Sequence, residues 1–109
     1  MILVNKDKPQ GIVVTVKESR VDMAISRKFK DELVALLKDK PALMVLDLGE
    51  TEYFDSSALG TLVSVLREAK SYGGEVRLAN LNQTLRTLMK LSKLDAMFKI
   101  YDDVDEALN

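Results

Sequence analysis

Asp55, Ser56 and Ser57 set a carboxylate and two hydroxyls side by side at a junction between two kinds of apolar pattern. Before them, Leu43-Met44-Val45-Leu46-Asp47-Leu48 is a short apolar run that reads as a buried strand, closed by the turn-like Gly49-Glu50-Thr51-Glu52. After them, Leu59, Leu62, Val63 and Leu66 recur at steps of three and four, which puts them on one face of a helix. The triplet therefore stands at a helix N-terminus, where backbone N–H groups lack intrahelical partners and the dipole favours negative charge. The plain reading is a helix cap. One oxygen suffices for that, so if Asp55 or Ser57 caps, Ser56 is left to face solvent at a positive helix end, a competent position for a phosphate.

Other chemistries are excluded by what the chain lacks. It has neither His nor Cys, so a Ser-His-Asp triad, a His or thiolate metal site and a disulfide cannot be built from it. A nucleophile elbow of the Gly-x-Ser-x-Gly type is also missing. Asp47, in a central strand, would suit a phosphoaspartate receiver, but Ile2-Leu3-Val4-Asn5-Lys6 offers no acidic pair to hold magnesium. Gly73-Gly74 closes a helix and does not open one, which argues against a phosphate-cradling loop. Asp102, Asp103, Asp105 and Glu106 lack calcium-loop spacing and read as a solvated helix start, and Arg86, Lys90 and Lys93 read as a solvated face. No metal or cofactor is expected, and Met89 and Met97 are expected in the core.

With 109 residues, 47% of them apolar and 30% charged, the chain is expected to be one globular domain spanning 1–109. A formal net charge of −1 gives no electrostatic reason to expect nucleic acid or a membrane as partner. No apolar stretch approaches the roughly 20 residues of a membrane span, and Met1-Ile2-Leu3-Val4-Asn5-Lys6 does not resemble a signal peptide, so the protein is expected to be cytoplasmic.

In order, Ile2-Leu3-Val4 and Ile12-Val13-Val14-Thr15-Val16 flank the turn residues Asp7-Lys8-Pro9-Gln10-Gly11 and suggest a hairpin. From Ala24 onward, Ile25, Phe29, Leu33, Leu36 and Leu37 share a helical face, with Asp22 or Ser26 as cap and Pro41 near the end. The near-continuous apolar run at 43–48 reads as a central parallel strand, and the helix after Ser57 should run to about Tyr72. Glu75-Val76-Arg77-Leu78-Ala79 is the next strand. Asn82 caps a helix carrying Leu85, Leu88 and Met89 inward, Leu94, Met97 and Phe98 continue the packing, Ile100-Tyr101 is a last short strand, and 102–108 a terminal helix. The pattern predicts an α/β domain with a mostly parallel mixed sheet of four or five strands, alternating helices and an N-terminal hairpin.

The stretch Tyr53-Phe54-Asp55-Ser56-Ser57-Ala58-Leu59-Gly60, with the strand before it, Gly73-Gly74 after the helix and Leu91-Ser92-Lys93-Leu94-Asp95-Ala96-Met97-Phe98-Lys99-Ile100 near the end, resembles the anti-sigma-factor antagonists of the STAS domain family over roughly residues 10–108. The resemblance implies a partner-switching protein without catalytic activity. Such a protein binds an anti-sigma factor with serine kinase activity and so releases the sigma factor. It is switched off when the kinase phosphorylates the first Ser of the motif, here Ser56, and is reset by a phosphatase. By position, Asp22, Asp55, Ser56, Ser57 and Ala58 fall to the partner-binding surface. Two residues depart from the family: Ala58 stands where Gly is frequent, and Ser19-Arg20-Val21-Asp22 stands where a Gly-Glu-Leu-Asp-like segment is usual, so Arg20 reverses a charge. The alternative is a constitutive STAS interaction or small-ligand module in which Ser56 is only part of a helix cap.

Overall fold

The structure, a computed structural model, describes residues 3–109; Ile2 of the expected first strand lies outside the described residues. Strands β1 (Leu3–Lys8) and β2 (Gly11–Val16) form the expected hairpin, pairing antiparallel from Leu3 against Val16 to Lys8 against Gly11. The turn is tighter than expected. Only Pro9 and Gln10 lie outside the ladder, because Asp7, Lys8 and Gly11 all pair. Gly11 is required there by a close approach: a Cβ at this position would run into the Leu43 carbonyl.

A short strand β3 (Arg20–Val21) leads into helix α1 (Met23–Leu37), then come β4 (Leu43–Asp47), a second short strand β5 (Tyr53–Phe54) and helix α2 (Ser56–Lys70). The chain continues through β6 (Glu75–Ala79), α3 (Gln83–Leu91), a 3-10 turn at Leu94–Ala96, β7 (Lys99–Tyr101) and α4 (Val104–Leu108). The main sheet has the order β1-β2-β4-β6-β7, and every pairing in it except the hairpin is parallel. This is the mixed, mostly parallel five-stranded sheet that the alternation of helix and strand predicts. At its centre, β4 has Leu43, Met44, Val45 and Leu46 all buried, which explains the unbroken apolar run.

One face of the sheet carries the large core, filled by Phe29, Leu33 and Leu37 of α1, Leu62 and Leu66 of α2, and Leu85 and Met89 of α3. The other carries a smaller cluster in which Ala107 and Leu108 of α4 cover Val13, Val45 and Ala79. Helix α2 buries Leu62 and Leu66 of the expected face, with the centre of that face shifted toward Ala58, Val65 and Ala69. Ala58, Leu62, Val65, Leu66 and Ala69 are buried, while Leu59 and Val63 sit half-buried on the flank. Small residues at both ends let the helix seat closely, so alanines mark the contact better than leucines do. The helix ends at Lys70, and Gly73, at φ 83°, supplies the left-handed turn. Met97, expected in the core, is 43% exposed; its neighbours Leu94 and Phe98 take the inward positions.

Packing also fixes the approach to the Asp-Ser-Ser triplet. Phe54, the residue before Asp55, is buried against Phe29 of α1 with ring centroids 5.9 Å apart. Removing the Phe29 ring opens a cavity under the strand that presents the triplet. Phe29→Ala should therefore lower unfolding free energy by about 3–5 kcal/mol in urea titrations. A loss under 1 kcal/mol would show that this pair is not what anchors β5.

Candidate functional site

The triplet is presented by a small parallel ladder absent from the sequence expectations, in which Arg20 pairs with Tyr53 and Val21 with Phe54. Two residues per strand are too few for a recognisable alternation. Backbone bonds extend it: Ser19 O accepts from the N–H groups of Glu52 at 2.7 Å and Tyr53 at 3.1 Å, and Val21 O accepts from Asp55 N–H at 3.1 Å. The buried Thr51 hydroxyl donates to Glu18 O at 2.8 Å. Directly after each strand a helix starts, so the N-termini of α1 and α2 lie side by side. Asp22 and Asp55, 33 positions apart in sequence, become neighbours.

Asp55 caps α2. Its Oδ1 accepts from the Ala58 N–H at 3.0 Å and from the Ser57 hydroxyl at 2.5 Å, and the Met23 N–H of α1 also reaches the carboxylate. These donors, the Ser57 hydroxyl foremost, hold the Asp55 carboxyl below the usual carboxylate range against a smaller opposing effect of burial. Asp22 caps α1 through Ala24 N–H at 3.0 Å, which decides between Asp22 and Ser26. Ser57 is thereby committed to Asp55. Ser56, the first residue of α2, is exposed, and its hydroxyl makes no hydrogen bond within the described residues. Ala58, expected to touch a partner, is fully buried with its N–H committed to Asp55, and so presents no surface. Arg20 lies over the Tyr53 ring at 4.5 Å with its Nε 3.7 Å from an Asp22 oxygen, which places a cation on the rim of the site.

A second set of residues, unmarked in the sequence, holds the loop that brings the chain here. Asp47 Oδ1 accepts from Gly49 N–H and from the Asn80 side chain, both at 3.0 Å, and its Oδ2 from the Thr15 hydroxyl at 3.4 Å. This joins the ends of β2, β4 and β6. The carboxylate considered for phosphotransfer is thus a brace, and Asn80, at φ 62°, sits in the left-handed conformation that Asn tolerates. Asn82 caps α3 through Leu85 N–H and donates to Glu52 O at 3.4 Å, so three helix starts are tied to one loop. Arg86 donates to Asp102 and to Leu81 O, while Lys90 and Lys93 stand exposed without ion pairs. No group of acidic side chains suited to a metal is present among the described residues.

The lowered carboxyl gives the cap a pH signature. Its contribution is complete above the ordinary carboxylate range and disappears as pH falls through the lowered native value. Asp55→Asn keeps an oxygen acceptor without the charge. The gap in urea midpoint between wild type and Asp55→Asn should therefore shrink on acidification from about pH 5 to about pH 2. An unchanging gap would show that the charge of Asp55 plays no part in the cap.

Comparison with known proteins agrees with this fold. A Thermotoga neapolitana protein provisionally named as an anti-sigma factor antagonist is 35% identical over 65 residues, covering 60% of this chain and 58% of the relative. The chain thus spans little more than half the length of that relative, and 56% of a second from Thermotoga maritima. The crystal structure of an anti-sigma factor antagonist, likewise provisionally named, from Thermotoga maritima superposes with a TM-score of 0.86 at 27% identity, over 97% of this chain and 91% of that one. The Bacillus cell fate determinant SpoIIAA shares the fold at 16% identity. The TM-score is 0.80 unphosphorylated, over 97% of this chain and 92% of that one, and 0.72 phosphorylated, over 97% and 96%. The STAS domain family profile matches residues 4–107, nearly the whole length, and the chain belongs to that family.

Proposed function

We propose that this protein is an anti-sigma-factor antagonist that binds an anti-sigma factor with serine kinase activity and is switched off by phosphorylation of Ser56. The observation that carries this reading is the division of labour at the α2 N-terminus. Asp55 and Ser57 satisfy the cap between them, and Ser56 alone remains exposed and uncommitted. Relatives named as anti-sigma factor antagonists support the general role, and the fold they share is known in a phosphorylated form.

The switch follows from where the charge lands. A phosphate adds about −1.5 to −2 charge at a helix N-terminus that tolerates anions, and Ser56 contributes no bond whose loss would loosen the fold. The cost falls on the complex. A heavily hydrated dianion beside Asp55 and Asp22 meets like charge and loses its water when a partner covers it, and about 3–4 kcal/mol of such cost weakens binding several-hundred-fold. No catalytic group is required of this chain: the kinase supplies the transfer, the bond to Ser56 Oγ forms as the γ-phosphoryl leaves ADP, and a separate phosphatase restores the hydroxyl. We place the complex in the cytoplasm, where ATP and sigma factors meet.

Incubation with Mg-ATP and the candidate serine kinase, followed by phosphosite mapping, should show a single phosphate on Ser56 and loss of kinase binding. Ser56→Ala should bind constitutively and Ser56→Asp poorly, with unfolding midpoints near wild type. Equal binding by both variants, with no modification of the protein, would replace the switch with a constitutive interaction module.

A further inference from the structure

The Arg20 side chain performs no task in the scaffold. It stands on β3, outside the main sheet, and its neighbour Val21 is the residue that packs inward. The side chain is 64% exposed, and its Nε lies 3.7 Å from an Asp22 oxygen, beyond hydrogen-bond distance. What holds the guanidinium is the Tyr53 ring, 4.5 Å beneath it. An exposed stack and a loose ion pair are both weak, so the group is held by little and its two Nη donors are spare among the described residues.

The β3–β5 ladder sets this cation beside Ser56. Arg20 pairs with Tyr53 and Val21 with Phe54, and Asp55 N–H continues the pattern to Val21 O at 3.1 Å. Asp22 and Asp55 keep extended backbone, and Val21 and Phe54 are buried, so alternation puts Arg20, Asp22, Tyr53 and Asp55 together on the outer face. Ser56 follows directly and is exposed. Strands about 4.8 Å apart and three residues of about 3.4 Å each place the Arg20 and Ser56 backbones about 11 Å apart, a gap that an arginine and a phosphoserine close with their two side chains. The other cations nearby are committed or set further off: Lys17 is bonded to Glu50 at 2.6 Å, Arg86 to Asp102 at 3.0 Å, and Arg27 stands a turn into α1. The acids around Ser56 are Asp22 and Asp55, with Glu18, Glu50 and Glu52 in the adjoining segments, and α2 carries no charged side chain before Arg67.

We propose that Arg20 is the internal partner of a phosphate on Ser56, its guanidinium leaving Tyr53 and Asp22 to take the phosphate through the Nη pair. The inference rests on the reading of Ser56 as phosphoacceptor. Charge and geometry drive the exchange. A phosphate brings about two charges and three acceptor oxygens where Asp22 offers one charge at 3.7 Å, and the planar fork of arginine fits it bidentately. One event then changes two features of the surface. In the unmodified protein Arg20 is an exposed cation that a partner can use; in the modified protein that cation is spent internally and Asp22 is left bare. The partner loses an attraction as well as meeting added negative charge.

The test uses the full chain with phosphoserine placed at position 56 during synthesis, so that no kinase is needed. Phosphorus NMR from about pH 4 to about pH 8 follows the second ionisation of the phosphate, which a neighbouring cation lowers and removal of that cation raises. Arg20→Gln should raise it by about half a pH unit, the size expected of an exposed ion pair, and Arg20→Lys by less, while Arg27→Gln should leave it in place. About 1 M salt should shrink the difference between wild type and Arg20→Gln, and the Arg20 Nε–Hε signal of wild type should move when Ser56 carries phosphate. Amide spectra check that the variants fold. Equal ionisation in wild type and Arg20→Gln, or an Arg20 signal indifferent to the phosphate, would overturn the proposal, and a rise in Arg27→Gln alone would transfer the role to Arg27. A kinase that leaves Ser56 unmodified would instead count against the switch and leave this measurement standing.

Discussion

The arrangement at the heart of this protein depends on one carboxylate. Asp55 takes hydrogen bonds from the Ser57 hydroxyl and from Ala58 N–H inside its own helix, and the Met23 N–H at the start of α1 adds a small further pull that keeps its carboxyl low. It therefore does two things that separate residues would otherwise share. It satisfies the start of α2 with its side chain, and its backbone N–H, bonded to Val21 O, holds that start beside the start of α1. Two positive helix ends held together would repel, and a shared anion between them removes the conflict. Ser56, placed between these commitments, is relieved of any structural duty.

Around that carboxylate the scaffold is redundant in a useful way. Asp47 and Asn80 brace the strand ends, Thr51 anchors the connecting loop to Glu18 O, and Phe54 is pinned against Phe29. Every one of these contacts lies on the inward side of the site. An event on the outward side, at Ser56, adds charge without severing any of them. The geometry thus separates the surface that can change from the interior that cannot.

Much of this was legible in the chain itself. The periodicity of 24–37 and 83–91, the unbroken apolar run at 43–48 and the alternation at 75–79 led to the correct elements because each buries a surface large enough to impose its period. What escaped was whatever rests on a few residues or on distance. The β3–β5 ladder is two residues per strand and holds only because backbone groups from Ser19 to Asp55 complete it. The inward face of α2 was read only in part: Leu62 and Leu66 are buried as expected, but the alanines at 58 and 69, silent in a hydrophobic pattern, extend the contact. Met97 fell outside because the 3-10 turn at 94–96 changes the period from 3.6 to 3 and throws it outward. The cap itself had two candidates by residue type, and only the geometry of the Asp55 oxygen separated them.

The acidity around the site has the same origin as the site itself. Parallel strands send all their exits to one end of the sheet, and that end must also hold the starts of the helices that follow. Helix starts select short acidic and hydroxyl side chains as caps, as Asp22, Asp55, Asn82 and Asp103 do here, so acidic residues gather at the exit end. The acidity is thus a consequence of topology before it is an adaptation. Under the proposed switch, a phosphate on Ser56 would enter an acidic region of the surface, opposed by the convergent helix dipoles, the stacked Arg20 and the nearby Lys17. On that proposal, a partner able to cover the hydroxyl form would already tolerate that acidity, and two further charges are what it could not accommodate without fresh cations of its own.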